Sequence, residues 1–301
     1  GWEDQNKEIQ SQEIVDLLWS AYDTIFHQVL PSAVKKAAPQ ALYWSASPSS
    51  SRGVKSSNNS GDMHYWGVWW GGEPFSAYER ELPRFMSEYG FQSFPSFSTI
   101  EQFTTTEDHD VYSEVMQSHQ RSSIGNKTIE DYLLKDYKPP KDFKSFVYVS
   151  QLLQAHGIKT GAHAHRRNRN RCMGSLYWQL NDCWPVASWS SIDYYGNWKP
   201  LHYQIKKAFA NCIVSYEKKQ DSLAIYIVSD SLIKIHGQLK VCSYDFSGNQ
   251  LHTQLKEVEV ESNSSKCFLT VSIRDFISDQ NNTNTYFQTE FIVGNKLICS
   301  E

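Results

Sequence analysis

The chain has 301 residues, of which 40% are hydrophobic and 21% charged, and its formal net charge is −4. This is the balance of an ordinary folded chain. The charge gives no electrostatic case for nucleic acid or an anionic membrane, and no apolar run approaches the roughly 20 residues of a membrane-spanning helix. Aromatic residues are in excess, at 14% with ten Trp and seventeen Tyr. They suit a large core, and they equally suit sugar binding, because the C–H face of a pyranose packs flat on an indole.

In chain order, Ile9, Ile14, Leu17, Leu18, Tyr22, Ile25 and Phe26 recur at helical spacing and predict a helix over 8–29, with a second short one near 31–38 ending at Pro39. An apolar run at 41–48 breaks into a Ser-, Gly- and Asn-rich segment, 48–61, expected to be an exposed loop. Strand candidates begin near 42, 62, 84 and 173. Helical patterns fall near 75–82, 98–104, 110–121, 142–165 and 200–210. Alternating strands and helices, with strands apolar nearly throughout, imply a parallel sheet covered by helices. After about residue 213 the texture changes to short strands at 222–228, 237–244, 253–260, 267–271 and 285–293, separated by Ser, Asp, Asn and Gly turns. That pattern predicts an antiparallel β-sandwich.

The unusual residues sit at the C-terminal ends of the candidate strands: Ser45 to Ser47, His64 and Trp66, Glu88, and Trp178 to Asp182. In a (β/α)8 barrel that end carries the active site, although four strands make only half of one. Glu88 comes after the apolar residues Phe85 and Met86, where a carboxylate is costly to bury without a partner. Tyr89 could donate its hydroxyl to it, and Gly90 permits a sharp turn. The chemistry alone leaves Glu88 as readily a structural acid as a catalytic one.

Strand alternation sends Trp178 and Leu180 to one face and Gln179 and Asn181 to the other, which offers a sugar a stacking plane with amide and carboxylate neighbours. The alternative is a core aromatic with a polar cap. His64 has no second ligand at useful spacing, so hydrogen bonding is its expected role rather than metal binding. Trp66, Trp69 and Trp70 cannot all face one core. The run His163-Ala-His165-Arg166-Arg167-Asn-Arg169-Asn-Arg171 reads as a solvated basic cap on the C-terminal end of a helix. Six cysteines without a C-x-x-C are expected to be mostly buried free thiols. No phosphate loop, dinucleotide fingerprint or zinc motif is present, so no cofactor and no metal is expected.

The string Phe85-Met-Ser-Glu88-Tyr-Gly-Phe-Gln-Ser-Phe-Pro-Ser-Phe-Ser-Thr resembles the nucleophile segment of the β-mannosidases of glycoside hydrolase family 2. The strings from Met173 through Asn181-Asp182-Cys-Trp-Pro to Ser190, from Asp193 to Tyr203, and Ser118 to Asn126 resemble the same enzymes. Together they cover most of residues 1–210. The resemblance implies the second half of a TIM barrel over 1–212, with Glu88 as nucleophile after the seventh strand, and an immunoglobulin-like β-sandwich over 213–301. His64, Trp66, Tyr89, Trp178, Asn181 and Asp182 become substrate-binding candidates, with Trp178 stacking under the sugar. The substrate expected is an oligosaccharide or glycoside, with a homodimer left open.

The family's acid/base Glu lies in a Gly-Asn-Asn-Glu motif that this sequence lacks. Gly1-Trp2-Glu3-Asp4 resembles the residues a little downstream of that motif, so the chain is expected to be part of a longer enzyme. Other readings are a β-galactosidase or β-glucuronidase of the same family, and a carbohydrate-binding protein without catalysis. An exported bacterial protein is expected, with a lysosomal one as the alternative.

Overall fold

The computed structural model describes residues 11–49, 58–277 and 284–301. The first strong helical pattern forms α1 (Gln12–Thr24), which runs through one π turn into α2 (Leu30–Ala37). None of the residues of α1 is buried, and Ile14, Leu17, Leu18 and Tyr22 stay exposed, as does Ile25 in the π turn. Most of the loop expected at 48–61, and the Gly1–Asp4 string, lie outside the described residues.

The α/β part is organised around two short parallel strands, β1 (Met63–His64) and β2 (Met86–Glu88), with α3 (Ala77–Arg80) between them. A third extended segment lies along β2. Met86 N–H donates to Gly174 O, Leu176 N–H to Met86 O, and Trp178 N–H to Tyr89 O, at 2.8–2.9 Å. It forms one isolated bridge, at Ser175, rather than the continuous strand expected over 173–180. The strand expected near 42 does not form either: residues 42–46 pair with nothing as a strand.

The covering helices are α4 (Phe97–Ile100), α5 (Glu114–Ser118), α6 (Gly125–Asp136), α7 (Phe143–Arg167) and α8 (Pro200–Ala208). Helix α6 is absent from the elements expected from sequence. Its start has no side-chain cap, and its apolar stripe is confined to Ile129, Tyr132 and Leu133, which are buried at helical spacing. By contrast, α7 starts at Asp142, whose carboxylate accepts the Ser145 N–H at 2.7 Å. It passes through the core, where Trp69, Tyr78, Tyr89, Phe91 and Phe94 are fully or almost fully buried. Each such ring contributes roughly 2–3 kcal/mol of transfer free energy.

The second part is a sandwich. One sheet orders β3 (Cys212–Lys219), β4 (Ser222–Ser229) and β7 (Ser264–Ser272). The other orders β6 (Gln250–Val260), β5 (Ile235–Asp245), β8 (Thr285–Val293) and β9 (Lys296–Ser300). Val214, Ile225, Ile227, Leu239, Val241 and Phe291 fill the space between the sheets. Strands β3 and β9, both at sheet edges, are additional to the five expected from sequence.

The run from His163 to Arg171 is not a solvated cap. His163 and His165 are buried, and Arg166, Arg167 and Arg169 tie the end of α7 to the sandwich, while Arg171 reaches the Leu82 and Asn58 carbonyls. Arg166 donates to Ala208 O, Ala210 O and the Asp230 carboxylate. Arg167 reaches Ser215 and Glu79, and Arg169 reaches Ser229 O and Asp230. Arg166 caps carbonyls at the end of α8, Arg169 caps one at the end of β4, and both reach the Asp230 carboxylate.

Burial lowers the pKa of His163 to about 3, with Lys159, Arg167 and Arg166 adding to the effect, and it lowers that of His165 to about 4. Well above pH 6.5 both rings are neutral whether the chain is folded or unfolded. As pH falls from 6.5 toward 3, the unfolded chain takes up protons that the folded one refuses, so stability drops across that window. The melting temperature should therefore fall steeply between pH 6.5 and 4, and His163→Leu should flatten that limb. An equal slope in the variant would contradict this origin.

Candidate active site

The site is assembled where β1, β2 and the 174–178 segment end together. Register pairs His64 with Glu88, and Tyr65 N–H donates to Glu88 O at 2.8 Å, so the two side chains emerge side by side. Glu88 Oε2 accepts the Trp66 indole N–H at 3.1 Å and stands 3.1 Å from His64 Nδ1. Glu88 Oε1 accepts no hydrogen bond from the described residues. The carboxylate is thus held by one oxygen and presented by the other, with the side chain 24% exposed.

Behind this pair lies Asp62, which no sequence motif singles out. Its carboxylate accepts the hydroxyls of Ser47 and Ser87, each at 2.6 Å, together with the Ser49 N–H at 2.8 Å and the Trp44 indole at 3.2 Å. Burial works to raise its pKa, but the Ser47, Ser87 and Ser49 donors outweigh that and hold it well below the usual carboxylate range. Ser47 also lies 3.2 Å from His64 Nε2. Asp62 therefore fixes the 47–49 segment against β1 and β2 and places a hydroxyl under the imidazole. The local sequence gives no sign of this, because the partners lie 13 to 25 residues away along the chain.

Trp178 is 42% exposed at the rim of the site, and its peptide bond to Gln179 is cis. Leu176, Trp178 and Leu180 face outward. Ser175, Tyr177 and Gln179 turn inward to hydroxyls of Tyr89 and Ser191 and to the Asp182 carboxylate. Gly90 is needed where this segment crosses β2, since a Cβ there would sit 2.5 Å from Trp178 O. Trp66 stands edge to face on Trp189, which lies within the string from Met173 to Ser190. Trp69 is buried and Trp70 exposed, so the three tryptophans of this run divide between core and surface.

Two residues expected from sequence to be sugar ligands lie elsewhere. Tyr89 is fully buried, meets Tyr78 and His165 edge to face, and accepts the Ser175 hydroxyl at 3.1 Å. Its ring is part of the core beneath Glu88 and gives the carboxylate no hydrogen bond, because the strand turns alternate side chains to opposite faces. Asp182 is also buried. It accepts the hydroxyls of Ser188 at 2.9 Å and Ser190 at 2.6 Å and the Gln179 amide at 3.2 Å. It braces the loop behind Trp178 instead of facing a ligand. Asn181 is exposed beside it, with its backbone carbonyl engaged by Gln179.

Among the described residues, no group of His, Cys, Asp and Glu is arranged to hold a metal ion, and no helix is long and apolar enough to cross a membrane. The arrangement can hold one carboxylate oxygen toward a substrate resting against an exposed indole.

Residues 221–301 match the family of mannosidase Ig/CBM-like domains. β-Mannosidase B of Emericella nidulans is 29% identical over 272 residues, covering 80% of this chain and 32% of its own length. β-Mannosidase B of Aspergillus flavus is 33% identical over 206 residues, covering 67% and 24%. The crystal structure of β-D-mannosidase from Dictyoglomus thermophilum superposes with a TM-score of 0.85 at 31% identity, over 93% of this chain and 34% of that one. The chain thus spans between a quarter and a third of the length of these relatives, and it belongs with them to the β-mannosidases of glycoside hydrolase family 2.

Proposed function

We propose that the protein to which these residues belong is a retaining β-mannosidase that releases terminal β-D-mannose, with Glu88 as its nucleophile. The supporting observation is the two-sided hold on Glu88. Oε2 is engaged by Trp66 and His64, which leaves Oε1 as the oxygen that attacks the anomeric carbon. Attack gives a covalent mannosyl ester, and water then releases the sugar with overall retention. Trp178 offers the stacking face for the sugar ring, and Asn181 stands exposed at the same rim.

Double displacement needs a second carboxyl group about 5–5.5 Å from the nucleophile, acting first as acid and then as base. Asp62 is close but unsuited. A general acid needs a pKa near the working pH, whereas the Ser47 and Ser87 hydroxyls keep Asp62 ionised. We assign the acid/base to a residue outside these 301, in line with the missing Gly-Asn-Asn-Glu motif. The α/β part is then the second half of a (β/α)8 barrel over 1–212, with the sandwich over 213–301. The exposed apolar rows on α1, and at Leu42, Leu176 and Leu180, are surfaces for the other half to cover.

Initial rates of the whole protein on aryl β-mannoside, β-galactoside and β-glucuronide test the proposal. The mannoside should be preferred by at least about 100-fold, the discrimination expected where buried polar groups read the orientation of sugar hydroxyls. The isolated 301 residues should turn over none of them efficiently. Preference for the galactoside or glucuronide would reassign the substrate. Efficient hydrolysis by the isolated chain would place the acid/base within it.

A further inference from the structure

The Cys212 and Cys299 sulfurs lie 3.5 Å apart, and no other pair of the six cysteines comes within hydrogen-bonding reach among the described residues. Cys212 opens β3, the edge strand of one sheet, and Cys299 lies on β9, the edge strand of the other. The pair therefore sits on the side of the sandwich where the two sheets meet without a shared strand. We propose that Cys212 and Cys299 are a redox pair, joined by thiol–disulfide exchange with a small disulfide into a bond that staples β3 to β9.

The geometry is near that of a bond. A disulfide requires the sulfurs to close by about 1.5 Å, within reach of side-chain rotation and a small shift of an edge strand. A cavity of about 300 Å3 opens onto both cysteines and is lined also by Lys159, Lys207 and Ile298. It gives a small disulfide a route to the thiols; Lys159 is paired with Glu301, which lines the same cavity, and Lys207 is the ammonium that favours a disulfide bearing carboxylates, as glutathione disulfide does.

The hydrogen bond between the two thiols favours one order of events. The Cys299 thiol donates to the Cys212 sulfur. With the Arg166 guanidinium, that donation outweighs burial and lowers the Cys212 pKa, while Cys299 is pushed up. Cys212 is then the attacking thiolate. It displaces one thiolate from the small disulfide and forms a mixed disulfide. Cys299 gives up its proton and attacks the Cys212 sulfur, expelling the second thiolate. Two electrons pass from the protein thiols to the small disulfide, and two protons end on the released thiols.

The test uses the full chain, incubated with dithiothreitol or with glutathione disulfide, then unfolded, alkylated and peptide-mapped. Oxidation should lower the free thiol count from six to four and yield one linked pair of peptides, carrying Cys212 and Cys299. The melting temperature should rise by on the order of 5 °C or more, because the bond closes a long loop in the unfolded chain. Cys299→Ser should trap a glutathione adduct on Cys212 faster than on any other cysteine. Six persisting thiols, or links scattered over Cys183 and Cys267, would overturn the proposal. The wild-type peptide map decides the matter even where a serine variant fails to fold.

Discussion

Glu88→Ala in the whole protein should lower kcat on an aryl β-mannoside by at least about 10⁴-fold, the scale seen when a nucleophile is removed and binding remains. Sodium azide should restore part of the rate and yield a mannosyl azide of inverted configuration. The small anion fills the space left by the carboxylate and attacks from the same face, and no second displacement restores the original configuration. The fold should tolerate the change, since the carboxylate and its partners Trp66 and His64 are all partly exposed. A variant that keeps wild-type hydrolysis would remove Glu88 from the mechanism.

Lys199→Met should cost about 1–3 kcal/mol of stability, measured by chemical denaturation of the full chain. Lys199 is completely buried, and its Nζ donates to the Ser93 hydroxyl at 3.0 Å and the Ser188 carbonyl at 3.4 Å. Burial lowers its pKa to about 7 against the pull of Asp182 and Asp193, and burial likewise raises that of Asp182. Removing the amine leaves the Ser93 hydroxyl and the Ser188 carbonyl without their buried donor and takes away the positive charge that acts on Asp182 and Asp193. Because Asp182 braces Ser188, Ser190 and Gln179, the segment bearing Trp178 should loosen too.

The pH dependence carries the same signature. The folded pKa of Lys199 lies below its unfolded value of 10.5, so the unfolded chain binds more protons between pH 7 and 10.5. Stability of the wild type should then climb with pH across that window, a slope absent from the Met variant. A loss under about 1 kcal/mol with an unchanged slope would contradict this role for the buried lysine.

The residues differ in how much of their role is legible in the sequence. Glu88 is readable because an apolar run ending in a carboxylate is costly without a purpose, and the neighbouring strings indicate which purpose to test. The outward setting of Trp178 agrees with alternation, although the segment makes only one bridge and no continuous strand. Tyr89 shows the opposite case. Adjacency to Glu88 suggests a shared site, whereas successive strand residues face opposite ways.

Asp62, Ser47 and Ser87 form one network through partners distant in sequence, so no local pattern can announce it. The arginines after His163 read locally as a helix-end charge cluster. Their partners, Asp230 and the carbonyls of Ala208, Ala210 and Ser229, become visible only when the sandwich docks. The edge strands β3 and β9 are hard to read for different reasons. In β3 four buried residues run together before a charged end, without alternation, and β9 is short and mostly exposed.

The most direct measurement is trapping with a 2-deoxy-2-fluoro-β-mannosyl fluoride, then peptide mass analysis of the inactivated whole protein. The fluorine slows breakdown of the glycosyl ester, so the covalent intermediate accumulates on the attacking residue. One modified peptide is expected, with the sugar on Glu88, and a competing mannoside should protect it. A sugar attached to any other residue, or inactivation without covalent label, would contradict Glu88 as the nucleophile.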